Sequence, residues 1–187
     1  MNFIYNTPRL QLKVVSEDFA PAVLKFLSEN RQIFEPYETK KTDLYYTELY
    51  QQKNLKLEYK SFLEQKYMRY YVFKKGNDNE IIGTISFSNI LKFPYSSAYI
   101  GYKFAQTYQH FGYATEAVKC AVFAAFRDAN FHRIEAHVMP ENTPSIHLLE
   151  RIGFEYEGRS RALINIQGTY EDHLRYALIN SFFPAVH

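Results

Sequence analysis

A mixed α/β fold is what this 187-residue sequence predicts. Three β-type segments joined by short turns precede an alanine-rich stretch of helical periodicity, and strand-type segments return after it. The composition, 47% hydrophobic and 22% charged, is that of a globular chain and excludes a disordered or fibrous architecture. No repeat or linker divides the sequence, so one domain over residues 1–187 is expected.

The elements follow in order. Residues 9–15 alternate apolar and polar side chains (Leu10, Leu12, Val14), the pattern of a half-buried strand. Ser16 precedes Glu17, Asp18 and an apolar-periodic stretch to Leu27, which reads as a helix start. Pro36 interrupts any helix at the aromatic corner Phe34-Glu35-Pro36-Tyr37, and residues 43–66 resume a polar, tyrosine-rich helical pattern. Residues 69–74 and 80–90 are rich in Val, Ile, Tyr, Phe and Thr, and Gly76-Asn77-Asp78-Asn79 between them makes the pair a β-hairpin. Pro94-Tyr95-Ser96-Ser97 turns the chain into a third strand over 98–104. Across 114–129, Ala117, Val118, Ala121, Val122, Ala125 and Phe126 recur at helical spacing, with Asn130 as terminator. A strand at 133–139, a short helix opened by Thr143 and Pro144, and strands near 154–157 and 170–179 complete the chain.

The formal charge of +2 comes from basic and acidic residues interspersed along the chain, so no footprint for a nucleic-acid backbone appears. The single Cys120 has no internal disulfide partner, and residues 1–9 lack the basic start and apolar core of a signal peptide. The longest strictly apolar run, 120–126, is too short to span a bilayer. A cytoplasmic protein with no membrane partner and no direct nucleic-acid partner is expected. Histidines at 110, 132, 137, 147, 173 and 187 form no ligand-spaced set, so no metal is expected.

The segment Gln109-His110-Phe111-Gly112-Tyr113-Ala114 runs into the alanine-rich helix. A turn that aims successive backbone N–H groups at one point, at the positive end of a helix dipole, binds phosphate without a basic side chain. Gly112 allows close backbone approach, and small Ala114 keeps the first turn open. By themselves these residues are equally an ordinary loop-to-helix junction.

In context, Gln-x-x-Gly-x-Ala resembles the pyrophosphate-binding signature of the GNAT N-acetyltransferases. Thr7-Pro8-Arg9-Leu10, Glu80-Ile81-Ile82-Gly83, Ile100-Gly101-Tyr102 and Arg133-Ile134-Glu135-Ala136 extend the resemblance over nearly the whole chain. Glu29-Asn30-Arg31, Phe87-Ser88-Asn89, Met139-Pro140-Glu141-Asn142 and Gly168-Thr169-Tyr170-Glu171-Asp172-His173 look like the ribosomal-protein alanine acetyltransferases of the RimJ/RimL group, RimJ above all. The resemblance implies a mostly antiparallel twisted sheet, splayed between two parallel strands and covered by helices on both faces. It also implies an acetyl-CoA-dependent N-acetyltransferase that transfers directly, in a ternary complex, to the α-amino group of a protein, a ribosomal one in the group it resembles. Acetylation of a small amine such as an antibiotic or polyamine, or acyl-CoA binding without catalysis, are the alternatives; monomer and homodimer are both open. Relatives commonly carry Gly-Lys-Gly or Gly-basic-Gly where this chain has His110-Phe111-Gly112.

By motif position, Tyr102, Lys103, Phe104, Gln109, His110, Phe111, Gly112, Tyr113, Ala114, Thr115 and Asn142 are expected to hold acetyl-CoA. Many relatives carry a proton-donating Tyr where this chain has Leu149, and the role passes to Ser145 by resemblance to the RimJ/RimL group; helix capping is the competing role of this segment, with Thr143 as the cap. The acceptor is expected at Phe34, Glu35, Tyr37 and Asn89. Glu35, Glu135 and Asp172 are candidate bases, although an α-amine titrating near ~8 needs no strong base.

Overall fold

A computed structural model of the chain describes residues 1–181. Eight strands form one sheet: β1 (Ile4–Asn6), β2 (Leu10–Lys13), β3 (Met68–Lys74), β4 (Asn77–Leu91), β5 (Ser97–Phe104), β6 (Arg133–Val138), β7 (Glu155–Ile166) and β8 (Thr169–Ile179). Their spatial order is β1-β2-β3-β4-β5-β6-β8-β7. Every neighbouring pair is antiparallel except β5 and β6, which run parallel. The helices are α1 (Ala20–Glu29), α2 (Arg31–Phe34), α3 (Glu48–Leu63), α4 (Tyr113–Asp128) and α5 (Thr143–Ile152).

Alternation along the strands sends side chains to two faces, and each face has its own core. Leu10, Leu12, Met68, Tyr70, Val72, Ile85, Phe87, Ala98, Ile100, Ile134, Ala136 and Val138 pack with α4 and α5 through Ala117, Val118, Ala121, Val122, Leu148 and Leu149. On the opposite face, Tyr71, Phe73 and Ile81 pack with Val23, Phe26, Leu27, Phe34 and Leu55 from α1, α2 and α3. The expected splayed sheet with helices on both faces is therefore present. Among the described residues, no helix is long and apolar enough to cross a membrane.

The structure corrects the sequence reading in three places. β1 was not anticipated: it is three residues long, only Tyr5 of it is buried, and it pairs back on β2 through the turn at 7–9. The helical pattern at 43–66 divides into a 3-10 turn, Asp43–Tyr46, and α3, because Thr47 leaves the helix and its hydroxyl accepts the Tyr50 N–H. β7 is twelve residues long where a short strand was expected. It lies at the sheet edge, so both faces are largely exposed and the apolar alternation that marks a strand is missing.

Gly83 shows how tightly the central strands are fitted. It pairs with Phe104 across β4 and β5, and a Cβ built on it would lie 2.4 Å from the Phe104 ring. Gly83→Ala is expected to force that ring from its rotamer and to destabilise the fold by roughly 1–3 kcal/mol, read as a lower denaturation midpoint with unchanged m-value.

Candidate active site

The site is built where the parallel strands part. β5 and β6 pair over three rungs, Ser97 with Arg133, Ala98 with Ile134 and Tyr99 with Glu135. Beyond them β5 runs on to Phe104 while β6 continues only beside β8, to the rung of Val138 with Leu174. The edge of β5 over residues 100–104 thus faces a gap in the sheet, with backbone N–H and C=O groups available to a bound chain.

At the open end of that gap the chain makes a short 3-10 turn, Gln106–Tyr108, and enters α4. His110 and Gly112 both take positive φ, +67° and +77°. Gly112 is the N-cap of α4, and no side chain caps the helix. The first-turn N–H groups therefore remain turned toward the exposed loop 109–112 at the positive end of a 16-residue helix. An anion fits such a terminus without a basic side chain.

The sequence reading missed what braces this loop. Glu116, in the first turn of α4, accepts from Thr7 Oγ1 at 2.5 Å, from the Arg9 N–H at 2.9 Å and from Arg9 Nε at 2.6 Å. Arg9 also donates through Nη1 to the Phe111 carbonyl at 3.0 Å and lies over the Tyr113 ring at 4.6 Å. These donors hold the Glu116 carboxyl below the usual range against the effect of its burial. The loop lacks the common lysine, yet a guanidinium from the β1–β2 turn stands beside it. No spacing argument finds a contact between residues so far apart in sequence.

α5 begins on the other side of the gap. Its N-cap is Asn142, not Thr143: the Asn142 Oδ1 accepts the Ser145 N–H at 3.3 Å, and Thr143 and Pro144 fill the first two helical positions. Ser145 is half-buried, with its Oγ 2.9 Å from the Tyr102 hydroxyl. Leu149 is fully buried in the core.

Tyr102 and Lys103 leave β5 toward opposite faces. Lys103 Nζ donates to Glu38 at 2.7 Å and lies over the Phe34 ring at 4.7 Å; burial lowers its pKa while Glu38 opposes the shift. Phe104 is buried in the core, so its side chain is not at the gap's surface. Phe34 is likewise a core residue, packed on Phe26, with Tyr37 exposed beside it. Asn89 stands on β4 with a φ of +47°, between Ser88, which pairs with Tyr99, and Leu91, which pairs with Ser97, so it lies beside the paired start of β5.

The three candidate bases are all engaged. Glu35 accepts from Arg31 Nε at 2.7 Å and Tyr46 Oη at 3.1 Å. Glu135 accepts from Arg133 Nε at 3.0 Å, and that guanidinium also pairs with Glu157. Asp172 is held below the usual carboxylate range by the Ala162 N–H and Arg159, which leaves it a poor base. Half-buried His137, its ring 4.6 Å from that of Tyr99, is kept below the ordinary histidine pKa by burial and is neutral at physiological pH. Among the described residues, no three His, Cys, Asp or Glu side chains gather as a metal-holding group, and His187 lies outside the described residues.

The family profile described as an acetyltransferase (GNAT) domain matches residues 9–155. The chain belongs to the GNAT acetyltransferases. Over 153 residues it is 38% identical to a probable N-acetyltransferase, YjcK, of Bacillus subtilis, covering 82% of this chain and 84% of that protein. It is 31% identical over 172 residues to the [ribosomal protein uS5]-alanine N-acetyltransferase of Escherichia coli, covering 92% and 88%. The crystal structure of the ribosomal-protein-S5-alanine acetyltransferase of Vibrio fischeri superposes with a TM-score of 0.91 at 27% identity, over 97% of this chain and 99% of that one. This GNAT protein is an N-acetyltransferase of the RimJ/RimL kind, with acetyl-CoA as its acetyl donor.

Gly112→Val would place a β-branched side chain at a φ of +77° and close the loop mouth. It is expected to weaken acetyl-CoA binding about tenfold or more by isothermal titration, at a strain of about 1–3 kcal/mol.

Proposed function

We propose that this GNAT protein, acting as one domain, acetylates the α-amino group at the amino terminus of a protein, a ribosomal one by preference. The observation that carries the reading is the open edge of β5 with the Ser145 hydroxyl beside it, in a chain aligned over 92% of its length with an enzyme named for a ribosomal-protein alanine.

In this reading Gln109, His110, Phe111, Gly112, Tyr113, Ala114 and Thr115 receive the pyrophosphate through the backbone N–H groups of the loop and the first turn of α4. Asn142 orients the start of α5 at the pantetheine arm. A backbone N–H on the open edge of β5 meets the acetyl carbonyl oxygen and stabilises the charge it gains. The acceptor approaches on the face carrying Glu35, Tyr37 and the Lys103–Glu38 pair. Transfer is direct. The amine nitrogen bonds the acetyl carbon and loses one proton to water, the C–S bond breaks, and Ser145 gives its hydroxyl proton to the thiolate. Solvent returns a proton to Ser145. An α-amine with pKa near ~8 is appreciably neutral at physiological pH, so a water chain suffices as base.

With acetyl-CoA and short peptides bearing free Ala or Ser termini, the protein is expected to release thiol and to yield peptides one acetyl group heavier. Turnover of spermidine alone would replace the acceptor in this reading, and tight acetyl-CoA binding with no transfer to any amine would make the chain a binding module. Ser145→Ala is expected to lower kcat about 100-fold with acetyl-CoA affinity unchanged. Equal losses in both, or none in kcat, would leave Ser145 as a helix-start residue only.

A further inference from the structure

The Tyr102 phenol, which motif position assigns to cofactor contact, meets the Ser145 hydroxyl. Its oxygen lies 2.9 Å from Ser145 Oγ and 3.2 Å from the Ser145 carbonyl oxygen. The tyrosine belongs to β5 and the serine to the first turn of α5, so this contact crosses the gap where β5 and β6 separate.

One phenol proton cannot serve both oxygens fully, and the choice has a chemical consequence. If Tyr102 donates to the carbonyl, the serine hydroxyl is left to donate back to the phenol oxygen, and its proton points away from a departing thiolate. If Tyr102 donates to Oγ, the serine proton is free to point into the gap. The phenol then also stabilises the charge that Oγ acquires as the proton leaves. The shorter of the two distances is to Oγ.

Resting on the reading of Ser145 as proton donor, we propose that Tyr102 is a positioning residue that donates its phenol hydrogen bond to Ser145 Oγ and thereby aims the serine proton at the coenzyme A sulfur. Burial pushes the phenol up to about 12, so it stays protonated through the working range and keeps a proton to donate. No net proton passes through it. Tyr102 keeps its own proton while Ser145 loses one to sulfur and regains one from water.

This placement accounts for the missing phenol at position 149. Leu149 faces the core, and a tyrosine reaches the same region from β5, acting through a serine instead of directly on sulfur.

The test is a double-mutant cycle of Tyr102→Phe and Ser145→Ala, with thiol release measured using whichever of an Ala-terminated peptide and spermidine turns over faster. Tyr102→Phe keeps the ring and removes only the hydroxyl. It is expected to lower kcat about tenfold, the worth of one charge-assisted hydrogen bond, with the KM for acetyl-CoA within twofold of the parent, about the scatter of such measurements. In the Ser145→Ala background the same change is expected to be nearly silent, because there is no hydroxyl left to aim. An unchanged kcat in Tyr102→Phe, a rise in KM in place of a fall in kcat, or losses that simply multiply in the double variant would each overturn the proposal. If Ser145→Ala alone leaves kcat intact, the donor assignment fails and the positioning role falls with it. A loss in Ser145→Ala with none in Tyr102→Phe removes only the role of Tyr102. Matching melting temperatures of the four proteins show that the rates compare folded enzymes.

Discussion

The site depends on one constraint: two parallel strands that pair over three rungs and no more. Parallel strands need a crossover between them, and here the crossover is α4. The helix must start where β5 ends and return the chain to the first residue of β6. The N-terminus of α4 therefore stands at the open end of the gap, and α5, leaving the far end of β6, starts on its other side. An anion-receiving helix end, a bare strand edge and a serine on a helix first turn come together because a sheet was interrupted. The Thr7, Arg9 and Glu116 contacts fix the helix end to the first hairpin, so the loop is held by the opposite region of the sheet.

Much of this could be read from the chain because its signals are local. The hairpin turn at Gly76, the periodicity of α4 and the glycine that opens it each act within a few residues, although the turn is tighter than expected, with Asn77, Asp78 and Asn79 already in β4. What stayed hidden is long-range or lacks burial contrast. β1 is too short to show a period, and β7 is too exposed to alternate. Arg9 beside the loop, Glu38 under Lys103 and Tyr102 on Ser145 are contacts across strands or between layers, invisible to spacing. Asn89, named by motif, falls at an irregular step of the β4–β5 ladder, a detail that no motif carries.

The carboxylates teach a related lesson about electrostatics. A sequence can nominate Glu35, Glu135 or Asp172 as a base, but a base must be free to take a proton. Each of the three is instead tied to guanidinium, phenol or amide donors. Their negative charge is spent on holding loops and strands. Beside the gap stand the hydroxyls of Tyr102 and Ser145 on one face and the Lys103–Glu38 pair on the other.

At the tip of the β7–β8 hairpin, Gln167 donates through one amide nitrogen to the carbonyls of Glu35 and Glu38, 3.0 Å from each. The turn after β7 and the loop after α2, more than 120 residues apart in sequence, are thereby bridged beside the aromatic corner of Phe34 to Tyr37. Because both acceptors are backbone carbonyls, the tie does not depend on which side chains stand at 35 and 38, whereas position 167 must carry a donor of amide length. The far end of an exposed hairpin is thus fastened to the helical layer by a single side chain, and the two surfaces that meet there differ in how much substitution they tolerate.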